Sequence, residues 1–435
     1  MALNAFQNKI KNRTAKIGVV GLGYVGLPLA LAFAKNGFEV TGIDIDKKKV
    51  AKLNQGQSYI LDVPSKELKQ VLKARRFRAT DNYKTLTTLD AMIICVPTPL
   101  SKTNEPDISF VVVATEQIAG VLRRGQLVVL ESTTYPGTTE EVMLPLLEKS
   151  GLKAEKDFFL AFSPERVDPG NKQFDTVSIP KVVGGVGPSS MAAAKALYGS
   201  VIRQIVEVSS AKTAEMVKLL ENTFRSVNIG LINEIALMSN QLGIDIWEVI
   251  KAAKTKPFGF MPFYPGPGIG GHCLPIDPLY LSWKSRLHGY EAKIIELASS
   301  INEAMPLRVV ERVGYLLNLK QTSLKNTPVL VLGVAYKKNI DDVRESPALE
   351  VIEHLLEKGS KVTYSDPFVP EIRVDGHALK SQPLSPALLK RQKCVVALTD
   401  HADFDYELIV RHAKMILDTR NVFRKFHPKK DLYFL

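Results

Sequence analysis

The glycine fingerprint GLGYVG at residues 21–26 restricts the fold of this chain more than any other motif. It lies between the apolar run Lys16–Val20 and a helix predicted over 27–36. A GxGxxG motif between a strand and a helix, followed about 20 residues later by an acid, is typical of a dinucleotide-binding Rossmann domain. The residues predicted to bind the cofactor in this motif are Gly21, Gly23, Tyr24, Val25 and Gly26.

Each glycine of the fingerprint has a physical task. Gly21 makes the tight turn, Gly23 leaves room for the pyrophosphate, and Gly26 lets the helix pack closely on the strand. Asp44 ends the next strand, where its carboxylate can accept hydrogen bonds from ribose hydroxyls and repel a 2′-phosphate. The sequence therefore predicts NAD, in preference to NADP, against the alternative of a glycine turn that binds no cofactor.

Three polar loops follow apolar strands in the first half of the chain. The motifs PTP, STTYPG and SPER begin at residues 97, 132 and 163. In an open parallel sheet, ligands bind beyond the carboxyl ends of the strands, so these loops are predicted to line the nicotinamide pocket. Thr98 and Thr133 can bond the cofactor and Glu165 can face the reacting centre, although ordinary turn roles and an exposed acid are the alternatives. The parallel strands predicted here are 91–96, 127–131, 158–162, 181–184 and 202–208.

A long helix predicted over 212–242 follows, with apolar residues at helical spacing. Lys218, Asn222 and Arg225 recur at i, i+4 and i+7 and form one polar stripe. This stripe is either the solvated face of an amphipathic helix or, if the helix is buried, a surface that meets a ligand or partner. Further helices over 245–253 and 291–317 suggest a helical spine and an oligomer interface.

The segment PGIGGHCLPIDP, residues 267–278, presents Cys273 in a glycine- and proline-rich loop, with Asp277 four positions later. Glycines of this density let a backbone approach a ligand closely. The other two cysteines, Cys95 and Cys394, lie in apolar strand segments. A thiol combined with a hydride acceptor is what the oxidation of a carbonyl to an acid requires, whereas the alternative is a loop that contains a buried cysteine.

The last third of the chain repeats the α/β pattern. A strand over 328–333 leads into VAYKKN, and a helix over 346–358 is predicted with Ser346 as its N-cap. Lysines stand where the first sheet has glycines, which suits a second nucleotide. The predicted fold is α/β, with two Rossmann-like doubly wound parallel sheets joined by a central helical domain. Its predicted boundaries are 1–209, 210–320 and 321–435.

Composition excludes several other classes of function. The chain has 435 residues and a formal charge of +12, but its lysines and arginines are scattered, so no nucleic-acid partner is expected. No stretch approaches the roughly 20 apolar residues of a membrane span. Neither a CxxC pair nor a secretory signal is visible, which predicts a reducing, cytoplasmic setting and no metal site.

With these motifs assembled, the sequence closely resembles the UDP-glucose/GDP-mannose dehydrogenase superfamily from about residue 16 to about 423. The resemblance rests on GLGYVG, PTP, STTYPGTT, SPER, KLLENTFR, GGHCLPIDP and YKKNIDDVRES. SPER and GGHC-x-P-x-DP resemble the branch that acts on UDP-N-acetylhexosamines. The UDP-glucose branch typically has a lysine where this chain has Ile276. The resemblance therefore implies an NAD-dependent UDP-N-acetylglucosamine 6-dehydrogenase activity that feeds surface polysaccharide synthesis, with UDP-N-acetylmannosamine or UDP-glucose as alternative substrates.

The resemblance also implies roles for individual residues. Cys273 would form a thiohemiacetal and then a thioester, Lys218 and Asn222 would stabilise oxyanions, and Asp277 and Glu165 would orient or activate water. Lys256 is similar to a basic residue that some members supply from a neighbouring subunit, with a spacing that differs by one. His272 is assigned either a structural role or a substrate contact. The residues assigned to the UDP-sugar are Arg166, Arg225, Lys256, Gly270, Lys337, Arg344 and Arg420.

Two other functions remain as alternatives. A single-hydride dehydrogenase of the hydroxyacid or 6-phosphogluconate type would need neither Cys273 nor a second nucleotide domain. A catalytically silent regulator that binds NAD or a nucleotide would have no use for Cys273, Lys218 and Asp277 together. The expected assembly is a homodimer or a higher homo-oligomer.

Overall fold

The structure, a computed structural model, describes residues 2–60, 63–101, 103, 105–167 and 177–435. The chain divides into two compact units. Unit 1 comprises Met1–Glu221 and Leu279–Tyr290, and unit 2 comprises Asn222–Pro278 and Glu291–Leu435. The three predicted domain boundaries stay a prediction.

Unit 1 is built on an eight-stranded sheet in the order β3-β2-β1-β4-β5-β6-β7-β8. Both faces of this sheet are buried. Because side chains alternate along a strand, Ile17 and Val19 of β1 pack in one hydrophobic core and Val20 packs in the other. A strand covered on both faces reads as a continuous apolar run, as observed here. The strands are β1 (Lys16–Val20), β2 (Glu39–Ile43), β3 (Phe77–Thr80), β4 (Ala91–Ile94), β5 (Leu127–Leu130), β6 (Phe159–Phe162), β7 (Lys181–Gly185) and β8 (Ile205–Glu207).

The predicted doubly wound sheet is confirmed, with one difference at its far edge. Strands β3 to β6 are all parallel, but β7 pairs antiparallel to β6, and β8 is parallel to β7. Antiparallel neighbours need no crossover helix. The sequence between β6 and β7 contains Pro164, Pro169 and Pro180, which disfavour such a helix.

The helices of unit 1 cover the two faces of this sheet. The helix after the fingerprint, α2 (Gly26–Lys35), is almost wholly buried. The N-cap of α3 (Lys47–Asn54) is Asp46, whose carboxylate accepts hydrogen bonds from the backbone N–H groups of Lys48 and Lys49. A short π-helix, Thr138–Met143, follows the loop after β5. The other helices are α1 (Ala2–Lys11), α4 (Ser65–Lys73), α5 (Ser109–Ala119), α6 (Leu144–Glu148) and α7 (Pro188–Gly199), with a short 3₁₀ helix at Tyr83–Thr88.

The long helix α8 (Ala211–Gln241) is present as predicted and runs from unit 1 into unit 2. Lys218 therefore belongs to unit 1, and Asn222, one turn later, belongs to unit 2. The helix α10 (Asp277–Leu287) starts at the predicted site residue Asp277. None of the helices formed by the described residues combines the length and the apolar composition that crossing a bilayer requires.

Unit 2 contains a five-stranded sheet in the order β10-β9-β13-β14-β15, in which every pair is parallel. The second predicted sheet is thus confirmed, and Ser346 accepts a hydrogen bond from the N–H of Ala348 as the N-cap of α12 (Pro347–Glu357). The edge strand β15 was not predicted. The strands are β9 (Pro328–Leu332), β10 (Lys361–Ser365), β13 (Cys394–Ala397), β14 (Ile416–Asp418) and β15 (Leu432–Phe434), and β11 (Glu371–Val374) and β12 (His377–Lys380) form a hairpin.

The helices of unit 2 bury one apolar face against this sheet or against each other. The α11 helix (Lys293–Asn318) buries Met305, Val309 and Val313 in the same core as Val351 of α12. Spacings of three and four residues place such side chains on one helix face. The remaining helices are α9 (Ile246–Ala253), α13 (Pro386–Arg391) and α14 (Tyr406–His412), with a 3₁₀ helix at Arg424–Phe426.

Candidate active site

The fingerprint loop of unit 1 has the geometry that a dinucleotide needs. Gly21 has a φ of +91°, and a Cβ on it would lie 2.5 Å from the carbonyl oxygen of Cys95. A Cβ on Gly26 would lie 1.9 Å from the carbonyl oxygen of Gly21, so the start of α2 packs directly on the turn. At Gly23, by contrast, a Cβ would meet no protein atom within 4 Å. The loop is therefore closed by Gly21 and Gly26 and open at Gly23, where a phosphate could approach the backbone.

Asp44 follows β2 beside this loop and is almost fully buried. One carboxylate oxygen accepts the N–H of Leu22 at 2.9 Å, and the other accepts the N–H of Asp46 at 2.9 Å. Each oxygen retains a lone pair for a further donor, such as a ribose hydroxyl. Tyr24 is partly exposed, and Val25 takes a helical conformation as the residue before α2. The residues present thus fit NAD.

The predicted threonines lie at the ends of neighbouring strands. Thr98 follows β4 and is buried, and Thr133 follows β5 and is half-buried. The hydroxyl of Ser132 donates to the carbonyl oxygen of Val96 at 2.7 Å and ties the two loops together. Because β4 and β5 are parallel neighbours, their loops share one edge of the sheet, as predicted. Contact of either threonine with a cofactor stays a prediction.

Glu215 anchors the loop after β5 from α8, a feature that sequence reasoning missed. Its carboxylate accepts the backbone N–H groups of Gly137 and Thr139, at 2.5 and 2.9 Å, and the Thr139 hydroxyl at 2.7 Å. Burial raises the pKa of Glu215 to about 7, and these hydrogen bonds act in the opposite direction. Glu215 thereby joins the segment that follows Thr133 to the helix that carries Lys218.

Glu165 and Lys218 are in contact in unit 1, and the functions assigned to them stay predictions. The Lys218 Nζ donates to the backbone carbonyl oxygen of Glu165 at 2.6 Å. The Glu165 carboxylate accepts the N–H groups of Arg166 and Val167, each at 2.7 Å. Glu165 therefore uses both its main chain and its side chain within the loop after β6.

Arg166 was predicted to bind the substrate, and in the structure its guanidinium has protein partners. It donates to both carboxylate oxygens of Glu221, at 3.2 and 2.6 Å, and to the carbonyl oxygen of Pro180 at 2.8 Å. This fork geometry fixes the side chain against α8. A substrate contact for Arg166 stays a prediction.

The cysteine loop belongs to unit 2, where Cys273 is exposed while the other two thiols are buried. Burial raises the pKa of Cys95 and raises that of Cys394 to about 12, which makes both thiols poor nucleophiles. The carbonyl oxygen of Cys273 accepts the N–H of Asp277 at 2.9 Å, so the intervening residues form one helical turn that leads into α10. The thiol is presented at the start of that turn.

Asp277 is buried, and the Asn222 side-chain amide donates to its carboxylate at 2.5 Å. This bond joins two predicted site residues that lie 55 positions apart in the sequence. It attaches the turn that begins at Cys273 to the long helix.

The glycines of the cysteine loop pack on segments that neighbour the residues assigned to the UDP-sugar. A Cβ on Gly270, whose φ is +66°, would lie 2.6 Å from the Pro347 ring and 2.9 Å from the Cβ of Tyr336. A Cβ on Gly266 would lie 2.8 Å from a guanidinium nitrogen of Arg420. Within unit 2 the loop thus contacts Tyr336, the residue before Lys337, and Gly266, the residue before the loop, contacts Arg420.

Lys337, Arg344 and Arg420, which are assigned to the UDP-sugar, differ in their exposure and in the hydrogen bonds that they make. Lys337 is half-buried. Arg344 is exposed and donates to the carboxylate of Asp342, at 2.6 to 3.0 Å. Arg420 donates to the carbonyl oxygen of Leu398 at 2.8 Å, and burial lowers its pKa.

The remaining predicted residues are Arg225, Lys256 and His272, and a substrate contact for each of them stays a prediction. Arg225 and Lys256 are exposed, and the ammonium of Lys256 lies 5.0 Å from the ring centre of Phe258. Burial, followed by the positive charge of Arg344, lowers the pKa of His272. Within the described ranges no three metal-binding side chains come together into a candidate metal site.

Comparison with protein families gives a match over most of the chain. Models of three domains of the UDP-glucose/GDP-mannose dehydrogenase family align with it: the NAD binding domain over residues 15–202, the central domain over 212–304, and the UDP binding domain over 330–425. The cofactor fingerprint lies in the first match, the cysteine loop in the second, and Lys337, Arg344 and Arg420 in the third.

Individual relatives agree with this match. A UDP-N-acetyl-D-glucosamine 6-dehydrogenase of Pseudomonas aeruginosa is 41% identical over 81% of this chain and 83% of its own length. A UDP-N-acetyl-D-mannosamine dehydrogenase of Pyrococcus horikoshii is 37% identical over 94% of this chain and 96% of its own length. A solved structure of the UDP-ManNAc dehydrogenase from Pyrococcus horikoshii aligns over 96% of this chain and 98% of its own, with a TM-score of 0.88 at 37% identity.

Proposed function

The chain belongs to the UDP-glucose/GDP-mannose dehydrogenase family, as an NAD-binding UDP-sugar dehydrogenase, and we propose that it oxidises the C6 hydroxyl of UDP-N-acetylglucosamine to the uronic acid. The observation that carries the proposal is the presentation of Cys273. It is an exposed thiol in a glycine loop, one turn before a buried carboxylate, whereas the other two thiols are inert by burial. Such a thiol is what takes an aldehyde on to an acid.

The reaction begins with an alcohol and requires the loss of four electrons. NAD, when bound, accepts a hydride in each of the two oxidations. After the first, the Cys273 thiolate adds to the aldehyde carbon, a C–S bond forms, and the oxygen becomes a thiohemiacetal hydroxyl on protonation. The second oxidation leaves a thioester, and water then adds to its carbonyl carbon, so that the C–S bond breaks and the thiol is regenerated with the acid.

The residues around this chemistry have separate tasks in the proposal. The Lys218 ammonium stabilises the negative charge that develops on the C6 oxygen, and Asn222 shares that role. Asp277 and Glu165 orient the water that hydrolyses the thioester. The bond from Asn222 to Asp277 keeps these two side chains in fixed orientations. Lys337, Arg344 and Arg420 hold the UDP-sugar from the domain that matches the UDP binding model.

A second substrate, UDP-N-acetylmannosamine, is supported by a specific observation. The mannosamine dehydrogenase relative aligns with more of this chain, 94% against 81%, although its identity is 37% against 41%. UDP-glucose is less favoured because Ile276 occupies the place where the UDP-glucose branch typically carries a lysine. The apolar side chain of Ile276 is buried and can make no charged contact with a sugar.

The proposal predicts the outcome of a substrate panel. With UDP-GlcNAc and NAD, about two NADH should form per acid, because one sugar loses four electrons. UDP-ManNAc, UDP-GalNAc and UDP-glucose are compared by kcat/KM under the same conditions, with product acids identified by mass. One NADH per sugar with free aldehyde would contradict the thioester route. A higher kcat/KM for UDP-ManNAc would mean that UDP-ManNAc is the preferred substrate, and the proposed thioester route would still stand.

We further propose that the active form is a homodimer or a higher homo-oligomer, in the cytoplasm, and that its product enters surface polysaccharide synthesis. Phe224, Leu231 and Met238 recur every seven residues on α8 and are each about half exposed, at 45, 53 and 52%. Apolar side chains in such a row favour burial against a second copy. Light scattering should give a mass of at least twice 48.1 kDa. A mass of one chain at assay concentration would contradict this.

A further inference from the structure

Lys181 is a buried cation that none of the predicted roles uses. It is the first residue of β7, an otherwise uncharged strand, and its side chain is 5% exposed. Burying an ammonium group is costly unless charged or polar partners replace its water. The position of Lys181 therefore has to be explained by what surrounds it.

Two carboxylates surround the Lys181 ammonium. Its Nζ donates to Glu131 at 3.0 Å and to Glu165 at 3.2 Å. The second oxygen of Glu131 accepts the hydroxyl of Tyr198. The second oxygen of Glu165 accepts two backbone N–H groups of its own loop. Each carboxylate oxygen in this cluster thus has a donor.

The same loop holds Lys218 through its main chain. The backbone carbonyl oxygen of Glu165 accepts the Lys218 Nζ at 2.6 Å. A carbonyl oxygen can hold an ammonium in a fixed place only if its own peptide is fixed. The Glu165 carboxylate, which bonds Lys181, also accepts the N–H of Arg166, and this N–H belongs to the same peptide as the carbonyl oxygen.

We propose that Lys181 is a positioning residue, which fixes the Glu165 carboxylate and thereby sets where the Lys218 ammonium lies. This rests on the function proposed above, in which Lys218 stabilises the oxyanion. Lys181 itself is not assigned any contact with substrate or cofactor. Its effect on the reaction passes through the loop after β6.

The electrostatics of the cluster support the proposal. Burial by itself would raise the pKa of Glu165, but the charge of Lys181 and the hydrogen bonds from Val167, Lys181 and Arg166 outweigh it, and the pKa is lowered. Burial would lower the pKa of Lys181, but Glu131 and Glu165 raise it. The charged and titratable groups that face Glu165 are Lys181 of β7, Glu131 after β5, Cys95 after β4, Tyr198 of α7, Lys218 of α8 and its neighbour Arg166.

The sign of the pH effect follows from these contacts. In the native protein Glu165 stays ionised across the neutral range, so it adds no limb to the pH profile of kcat. Without Lys181, burial and the nearby Glu131 carboxylate would raise the Glu165 pKa. The variant should then lose kcat on the acidic side and recover part of it as pH rises and Glu165 ionises.

The test begins with Lys181→Met, Lys181→Arg and the surface control Lys195→Met. Lys195 lies on α7 in the same unit and pairs with Glu207 at the surface. Lys181→Met should lower kcat by about 10²-fold, as expected for a misplaced oxyanion donor, and change KM for NAD far less. Lys181→Arg should retain more activity than Lys181→Met, and Lys195→Met should match the native protein. Activity is measured from about pH 5.5 to 9, a range in which a rise of kcat with pH in the Lys181→Met variant would be visible.

The double variant Glu131→Gln with Lys181→Met keeps the proposal testable if the single variant does not fold. It removes one buried charge of each sign, so folding should recover, as thermal unfolding would show. Glu165 still lacks its cation, so kcat should stay low. Native kcat without a new pH limb in this double variant would overturn the proposal, because Lys181 would then serve only to neutralise Glu131.

Lys218→Met separates failure of this inference from failure of the proposed function. If Lys218→Met lowers kcat and the double variant does not, the positioning role of Lys181 is wrong and the role of Lys218 stands. If Lys218→Met leaves kcat unchanged, both are wrong. If both residues act together, adding Lys181→Met to Lys218→Met should lower kcat by much less than about 10²-fold, since one interaction cannot be lost twice.

Discussion

Replacement of Cys273 with serine is expected to lower the rate of acid formation by on the order of 10³-fold or more. A serine hydroxyl remains protonated at neutral pH, whereas a thiol is ionised to a few per cent and is intrinsically more nucleophilic. Asp277, the predicted carboxylate nearest in sequence, is buried and accepts a hydrogen bond from the Asn222 side-chain amide. The measurement is uronic acid formed per enzyme, quantified by mass spectrometry.

The serine variant should keep the first half of the reaction. The binding sites are unchanged, so Cys273→Ser should still reduce the UDP-sugar 6-aldehyde with NADH, which is the reverse of the first oxidation. Cys394→Ala is the matched control, because its thiol lies in the same unit but is buried in β13, with a pKa raised to about 12. That control should form acid at the native rate per folded molecule. Native acid production by Cys273→Ser would remove the thiol from the mechanism.

Local structure could be predicted from the sequence because it depends on residues close together in the chain. In the fingerprint, Gly21 is required by its positive φ, and Gly26 is required by its contact with Gly21 in the same turn. The start of α12 at Ser346 and Pro347 rests on a cap and a fixed φ, both of which are properties of adjacent residues. The long helix α8 carries a helical repeat throughout. In each case the signal and the structure share one segment.

Contacts between distant segments could not be predicted in this way. Lys181 bonds Glu131 and Glu165, which lie 50 and 16 residues away. Its position at the start of an apolar strand gave the only signal, since a lysine there is expensive to bury. Arg166 was assigned to the substrate, but its partner Glu221 is 55 residues away. Periodicity indicates which face of an element is buried, but not which charged side chains from other elements arrive there.

The antiparallel pairing of β7 has the same cause. A continuous apolar run predicts a buried strand but does not indicate whether that strand pairs parallel or antiparallel. A strand buried on both faces lacks the alternation of apolar and polar residues that would help to specify its pairing. The prolines before β7 were the available signal, since they disfavour the crossover helix that a parallel neighbour needs. Only SPER, at residues 163–166, was predicted as a polar loop at the end of a strand, and that prediction leaves the direction of the next strand open.

Replacement of Gly23 with alanine is expected to weaken NAD binding by about 10²-fold while leaving the fold intact. A Cβ at this position would meet no protein atom within 4 Å, so the added methyl group occupies space that the protein leaves open. That space lies at the start of α2, where backbone N–H groups and the helix dipole favour a phosphate. Titration of NAD gives the affinity, and thermal unfolding gives the stability.

Two further glycines make this test selective. Gly26→Ala should lower the unfolding temperature, because its Cβ would lie 1.9 Å from the carbonyl oxygen of Gly21 and force the turn open. Gly199→Ala, at the end of α7, has its nearest protein atom at 3.8 Å and should change neither stability nor NAD affinity appreciably. UDP binding should be unaffected in Gly23→Ala, because the UDP binding match begins only at residue 330. Native NAD affinity in Gly23→Ala would mean that the pyrophosphate does not lie over this residue, whereas a large loss of stability would mean that the open space is needed by the protein itself.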